Sequence, residues 1–174
     1  MNFFQRWLQR TKTFPPFKDD GMYTLVVVDM QPKFATSQKQ STKDRVQELI
    51  LQAIEDDAGI VFLEFLGYDK TDSKLVATVE GYKKAHFQTK QENDGSFQVI
   101  EIIKKNKLPA KTVRVCGVNT NYCVRETVQG LLERVEETGI ARKIEVSKSG
   151  TNCSWDHQTG LDTMQNYYSC ELID

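Results

Sequence analysis

Several features that would indicate particular classes of protein are missing from this sequence. Only two of its 174 residues are histidine, and its four cysteines form no Cys-x-x-Cys pair, so a structural zinc site is not expected. No apolar run approaches the roughly 20 residues that a bilayer span requires. The N-terminus carries charges where a secretion signal would have its apolar segment. The sequence therefore predicts a cytoplasmic protein without a membrane span, whose cysteines remain thiols.

An excess of charge of either sign is also missing. Lys and Arg number 23 and Asp and Glu 24, which gives a formal net charge of −1. No overall field would therefore attract nucleic acid or anionic lipid. Hydrophobic residues make up 39% and charged residues 27%, an ordinary balance for a folded chain. The length suits one domain with a full hydrophobic core.

The first 20 residues differ from the rest of the chain. Up to Lys18 they carry four basic and no acidic residues, together with Phe3, Phe4 and Trp7. A short basic amphipathic helix of this kind either meets a membrane surface or a partner, or packs on the chain's own domain or a second subunit. We interpret residues 1–20 as a basic amphipathic arm and residues 21–174 as the folded domain.

From Tyr23 onward, strand and helix patterns alternate. Strands are predicted at 23–29, 60–65, 84–88, 112–117, 142–147 and 170–173, the first of them a β-branched run typical of a strand buried on both faces. Helical periodicity predicts helices at 42–57 with Thr42 as cap, 73–81, 96–106, 123–138 closed by Gly139, and 158–168. This rhythm predicts an α/β fold, a three-layer αβα sandwich around a doubly wound parallel sheet.

Three chemically active residues fall at the ends of predicted strands. Asp29 closes the first strand, Lys90 lies just beyond the third, and Cys123 follows the fourth across a short turn. The carboxyl ends of parallel strands share one rim, so these residues converge if the first and fourth strands are neighbours. A helix start and a nearby lysine favour a thiolate, and Asp29 could carry its proton to a departing amine. The three residues predict a thiol hydrolase.

Three segments resemble a known family. They are VVVDMQPKF at 26–34, HFQTKQENDGSF at 86–97 and VCGVNTNYCVRETVQGLL at 115–132. Together they resemble the isochorismatase-like cysteine hydrolases, and the resemblance runs from about Tyr23 to the C-terminus. It implies the isochorismatase-like hydrolase fold, cleavage of an amide C–N bond through a thioester, and a homo-oligomer.

The resemblance also implies roles for particular residues. The family's catalytic triad falls on Asp29, Lys90 and Cys123. Its cis peptide bond falls on Val118–Asn119, where it would aim the Asn119 amide, with that of Cys123, at an oxyanion.

Two departures from the family narrow the expected activity. Isochorismatases proper lack the cysteine, so Cys123 argues against vinyl-ether hydrolysis. Nicotinamidases carry an aspartate and histidine metal site after the second strand, whereas residues 64–74 contain acids but no histidine. His86 and His157 are too isolated to replace it. We therefore expect no metal and no other cofactor, and the sequence argues against nicotinamidase activity.

The predicted substrate contacts are Phe34, Tyr122 and Trp155, with core packing as the alternative for Phe34 and Trp155. The leading hypothesis is a metal-independent cysteine hydrolase that acts on a small amide, carbamoyl or ureido compound. One alternative is a catalytically silent member of the family that binds or sequesters a small metabolite. Another is a hydrolase that pairs Cys123 with His157.

Overall fold

The computed structural model describes residues 23–174, so the arm predicted at 1–20 lies outside the described residues. The strands of this region are β1 (Tyr23–Val28), β2 (Gly59–Phe65), β3 (Ala85–Lys90), β4 (Thr112–Val118), β5 (Lys143–Asn152) and β6 (Glu171–Ile173). Its helices are α1 (Gln40–Glu55), α2 (Ser73–Thr78), α3 (Ser96–Asn106), α4 (Arg125–Glu133), α5 (Val135–Thr138) and α6 (His157–Tyr168). A 3-10 turn at Ala35–Gln38 and a π-helical turn at Thr120–Val124 complete the list.

All six strands form one parallel sheet in the order β3-β2-β1-β4-β5-β6. The chain builds outward from β1 to β3 and then returns to the other side of β1 with β4. Val28 at the end of β1 lies beside Gly117 near the end of β4, so the first and fourth strands are neighbours, which is the condition under which Asp29, Lys90 and Cys123 were expected to converge. The strand order changes direction between these two strands, and ligands of such sheets bind at that point.

Helices cover both faces of the sheet. Along β1 the side chains alternate: Val26 and Val28 pack with α3, α4 and α6, whereas Leu25 and Val27 pack with α1 and α2. β1 is wholly buried because both of its faces are covered. The three-layer αβα fold predicted from the sequence is confirmed. In residues 23–174 no helix has the length and apolar content that crossing a membrane requires.

Three predicted helices differ from the structure, and the smallest difference is that α2 ends at Thr78 and not at residue 81. The first begins at Gln40, after Lys39 in an extended conformation, so Thr42 is a buried residue of its first turn and not its cap. The helix predicted at 123–138 is divided, since a π-helical turn comes before α4 and Arg134 breaks the helix between α4 and α5. Gly139, with φ of 69°, does close this region.

Candidate active site

Asp29 lies immediately after β1 and faces the interior. Its φ is 50°, in the left-handed region, which aspartate tolerates better than most residues. Its backbone N–H donates to the Leu63 carbonyl at 3.0 Å, which ties the end of β1 to β2. The Asp29 carboxylate has no exposed surface. A buried carboxylate requires a partner of opposite charge or hydrogen-bond donors.

Lys90, the last residue of β3, supplies that partner. β2 separates it from β1, and its side chain passes the end of β2, with Nζ 4.3 Å from the centre of the Phe65 ring. Nζ then lies 2.9 Å from Asp29 Oδ2, and both side chains are completely buried. Nζ also donates to the carbonyls of Glu92 at 3.0 Å and Asn93 at 3.4 Å. The ammonium is therefore both paired and hydrogen-bonded, as a buried charge must be.

Cys123 lies in the π-helical turn between β4 and α4. The turn is closed by a hydrogen bond from Val124 N to the Asn119 carbonyl, five residues back, at 3.2 Å. π-helical turns of this kind recur at functional sites. The Cys123 thiol donates to Asn93 Oδ1 at 3.5 Å and lies close enough to the Asp29 carboxylate for that charge to act on it. The structure thus brings Asp29, Lys90 and Cys123 together at the ends of β1, β3 and β4.

Burial decides the protonation of this cluster. Burial raises the pKa of Asp29, although Lys90 and the Cys123 thiol both act to lower it. The pKa of Cys123 rises to about 12 because of burial first and the Asp29 charge second, against the opposing effect of Lys90. The sequence-based expectation of a lowered thiol pKa is therefore wrong. Cys123 is only 4% exposed, and this burial raises the thiol pKa by more than the charge of Lys90 lowers it.

The peptide bond between Val118 and Asn119 is cis, as the family resemblance implied. Asn119 is held from both sides. Its Oδ1 accepts a hydrogen bond from Thr36 Oγ1 at 2.6 Å, and its carbonyl accepts one from Tyr122 N at 3.0 Å. The 3-10 turn after β1 and the π-helical turn after β4 are joined through this residue.

A family model, the isochorismatase domain, matches residues 23–137, which is more than half of the chain. The chain belongs to the isochorismatase family. The matched range runs from β1 to α5 and includes Asp29, Lys90 and Cys123. A search of curated protein sequences gave no match.

Solved structures of isochorismatase-like proteins share this fold. The nicotinamidase of Staphylococcus aureus has 22% identity and a TM-score of 0.73, covering 87% of this chain and 99% of its own. The N-carbamoylsarcosine amidase of Thermoplasma acidophilum has 20% identity and a TM-score of 0.69, covering 86% and 94%. The Escherichia coli YcaC protein, an octameric hydrolase of unknown specificity, has 16% identity and a TM-score of 0.71, covering 91% and 79%. At these identities the similarity shows the fold.

The three residues predicted to contact substrate have different surroundings. Phe34 is half-buried after β1, where its ring stacks on Tyr68 at 4.3 Å between centres and meets Phe65 edge-on at 6.5 Å. Tyr122 is next to Cys123 in the π-helical turn and is 46% exposed. Trp155 is 73% exposed in the loop between β5 and α6, so core packing does not explain it. Contact of these side chains with a substrate stays a prediction.

Two further polar residues at the site were not selected from the sequence. Gln31 is buried and its side chain both accepts from Phe65 N, at 2.7 Å, and donates to the Phe65 carbonyl, at 3.1 Å. It therefore fixes the end of β2 across which Lys90 passes. Asn93 touches the sulfur of Cys123. Both residues lie in segments that carry the family resemblance, Gln31 in VVVDMQPKF and Asn93 in HFQTKQENDGSF, but Asn93 is in an acidic loop without any periodic pattern that would single it out.

The acids at the end of β2 and in the loop after it are engaged in contacts other than metal binding. Glu64 accepts hydrogen bonds from Lys70 Nζ and Thr71 N, each at 2.9 Å. Asp72 caps α2 and pairs with Lys43 Nζ at 2.8 Å. Within residues 23–174 no group of three His, Cys, Asp or Glu residues is arranged to hold a metal ion. This donor set does not fit a metal site, and the expectation of a metal-free enzyme stays a prediction.

His157 begins α6 and binds the π-helical turn, not the thiol. Its Nδ1 lies 2.8 Å from Thr120 Oγ1. Burial and the charge of Lys39 lower its pKa, which favours the neutral ring. The Cys123 thiol meanwhile donates to Asn93 Oδ1. This geometry favours a structural role for His157 over the Cys–His pairing considered from the sequence.

Replacing Gly95 by alanine is expected to disturb Lys90 directly. A Cβ there would lie 3.0 Å from Lys90 Cδ and 3.3 Å from Thr127 Oγ1, and closer still to Leu63. Overpacking of this kind costs about 1–3 kcal/mol. We expect the variant to lose stability by this amount, measured by urea denaturation, and to lose turnover at least about tenfold because Lys90 is displaced.

Gly59→Ala is the matched control for that variant. A Cβ at Gly59 would be about as crowded, at 2.6 Å from Thr24 Oγ1. Gly59 begins β2, however, whereas the active site lies at the other end of this strand. It should lose stability and keep its turnover per folded molecule. Equal losses of turnover in both variants would mean that the effect is general destabilisation.

Proposed function

We propose that the protein is a metal-independent cysteine hydrolase that cleaves a C–N bond of a small amide, carbamoyl or ureido substrate. The observation that carries the proposal is the buried pair of Asp29 and Lys90, 2.9 Å apart, next to the Cys123 thiol. A nucleophile with an adjacent base, itself oriented by a third group, is the arrangement of covalent catalysis. The nicotinamidase and the N-carbamoylsarcosine amidase of similar fold support amide chemistry.

In the first step Cys123 Sγ attacks the carbonyl carbon of the substrate. The thiol is neutral at rest, because its pKa is about 12, so its proton must leave as the C–S bond forms. The Asp29 carboxylate, whose charge acts on the thiol, receives that proton. Transfer during attack avoids forming a free thiolate in a buried site.

The tetrahedral intermediate then loses its amine. Its oxyanion accepts hydrogen bonds from two candidate donors, the backbone N–H of Asn119 immediately before the π-helical turn and that of Cys123 within it. Asp29, now protonated, gives its proton to the leaving nitrogen, and the C–N bond breaks. Water then attacks the thioester on Cys123 with Asp29 as base, which releases the acid and restores the thiol.

Lys90 contributes to the reaction through its effect on Asp29. Its ammonium compensates the carboxylate charge in a site from which water is excluded, and its contact at 2.9 Å limits the orientations of Asp29. No step requires a metal ion. Phe34, Tyr122 and Trp155 are proposed to contact the substrate, and the octameric state of the Escherichia coli neighbour supports a homo-oligomer.

The pH dependence of kcat/KM should report Asp29. The active form has Asp29 ionised and Cys123 protonated, and burial raises the pKa of Asp29 above its ordinary value of 3.8. Activity should therefore rise with pH through that raised pKa. It should then stay level through mildly alkaline pH, because the thiol titrates only near pH 12. A rise centred near pH 8.5, the ordinary value for a free thiol, would contradict this scheme.

The test is a screen of primary amides, carbamoyl and ureido compounds for ammonia release by the chelator-treated protein. Acid-quenched samples are examined by mass spectrometry for an acyl group on the Cys123 peptide. We expect ammonia release that survives chelation, and an adduct with the mass of the acyl fragment. Loss of activity on chelation, restored by zinc, would overturn the metal-independent mechanism.

The burial of the site also fits a second function, a binding protein without catalytic activity, and the same screen tests it. Asp29 and Lys90 have no exposed side-chain surface, which suits a protein that encloses a metabolite without converting it. Compounds that bind by calorimetry but give neither ammonia nor an adduct would favour this second function. A compound that binds and acylates Cys123 would exclude it.

A further inference from the structure

Asn93 contacts two of the three proposed catalytic side chains. It lies in the loop between β3 and α3, and its Oδ1 accepts a hydrogen bond from Cys123 Sγ at 3.5 Å. Its backbone carbonyl accepts one from Lys90 Nζ at 3.4 Å. One residue that does not titrate therefore holds both the sulfur and the ammonium.

The orientation of the Asn93 amide is set by its other end. Nδ2 donates to Glu126 Oε1, in the first turn of α4, at 3.1 Å. A carboxylate only accepts hydrogen bonds, so the NH2 group must face Glu126 and the oxygen must face the thiol. The sulfur therefore meets a hydrogen-bond acceptor at Asn93.

We propose that Asn93 is a positioning residue that accepts the thiol hydrogen of Cys123 in the resting site, in an orientation imposed by Glu126. An amide oxygen stabilises the protonated sulfur and disfavours the thiolate. The charged groups that also face Cys123 are Asp29 and Lys90, and Glu126 acts through Asn93.

The proposal deepens the proposed function, on which its catalytic meaning rests, because it names a feature of the substrate. The carbonyl carbon under attack must lie close to Sγ, so a nitrogen bound to that carbon comes within reach of Asn93 Oδ1. An N–H group on this nitrogen can donate a hydrogen bond to Asn93 Oδ1 in place of the thiol. The thiol hydrogen then passes to Asp29. Substrates whose leaving group carries an N–H are the class that this exchange selects.

The experiment measures alkylation of Cys123 by iodoacetamide at pH 8, read from the Cys123 peptide by mass spectrometry. Asn93→Ala removes the acceptor, and we expect about threefold to tenfold faster alkylation. The double variant Asn93→Asp with Glu126→Gln exchanges amide and carboxylate, keeps their hydrogen bond and leaves the net charge unchanged. A carboxylate beside the thiol should slow alkylation by about tenfold. Opposite effects at one position are not expected from altered packing.

Thr127→Val is the matched control. The Thr127 hydroxyl donates to the Asn93 carbonyl at 3.4 Å and accepts from Gly95 N at 3.0 Å, so its loss loosens the same loop without removing the acceptor at the sulfur. Its alkylation rate should stay within about twofold of wild type.

Acceleration by Thr127→Val equal to that by Asn93→Ala, or changes of the same sign in both Asn93 variants, would overturn the proposal. If Asn93→Ala does not fold, the double variant is compared with wild type alone, and an unchanged or faster rate contradicts the proposal. Alkylation needs no turnover. A negative result here therefore leaves the proposed function intact, whereas failure of that function appears as a missing acyl adduct.

Discussion

Cys123→Ala is expected to abolish turnover of any amide found by the screen, by about 10⁴-fold or more. Removal of a nucleophile that acts together with its base costs nearly the whole of the covalent pathway. The fold should persist, because the substitution removes one atom from a side chain at the rim of the core. The melting temperature should change by only a few degrees. The measurements are ammonia release under saturating substrate and circular dichroism on heating.

Cys153→Ala provides the comparison for this variant. Cys153 is a partly exposed thiol just after β5, and its removal should leave turnover within about twofold of wild type. Activity of Cys123→Ala within tenfold of wild type would contradict the covalent mechanism. Loss of activity in both variants would point to a general requirement for thiols.

Lys90→Met is expected to cost about 3–5 kcal/mol of the free energy of unfolding at pH 8, since it leaves the Asp29 carboxylate buried without its partner. The loss should shrink at low pH. Without Lys90 the pKa of folded Asp29 rises further above the unfolded value, so the folded state binds this proton more tightly. The stability gained from binding this proton is fully present below about pH 4, near the unfolded pKa, and is lost as the pH rises through the pKa of folded Asp29. Urea denaturation at pH 5 and pH 8 measures the difference.

The double variant Asp29→Asn with Lys90→Met separates stability from catalysis. It removes both charges at nearly constant volume, so most of the lost stability should return. Turnover should remain absent, because neither base nor ammonium is left. If Lys90→Met alone were as stable as wild type at pH 8, the buried ion pair described here would be contradicted.

The sequence predicted those parts of the site that depend on local pattern and sheet topology. Asp29 follows its apolar strand directly and Cys123 follows its own after a short turn, so the rule that parallel strands share a rim brings them together once the first and fourth strands are neighbours. Lys90 was harder to place, because its position depends on a side chain that passes the end of β2 and the Phe65 ring. The resemblance indicated it more clearly than any periodicity did.

Other features depend on tertiary contacts that a sequence pattern does not contain. Asn93 acquires its importance only from contacts with Cys123, Lys90 and Glu126, which lie elsewhere in the chain. The thiol pKa was predicted in the wrong direction because the helix start and the lysine were visible in the sequence, whereas the degree of burial was not. The π-helical turn was merged with α4 for a similar reason, since both have helical periodicity.

The complete burial of Asp29 and Lys90 has a consequence for how the protein responds to dissolved salt. Mobile ions screen charges only where solvent can reach them. The surface pair of Lys33 and Asp69 lies 3.6 Å apart with about half of each side chain exposed, at 56% and 50%, and its attraction fades as ionic strength rises. The Asp29–Lys90 attraction does not fade in this way. Concentrated salt should therefore weaken surface pairs such as Lys33 and Asp69, and leave the Asp29–Lys90 attraction and the proposed bond-breaking step unchanged.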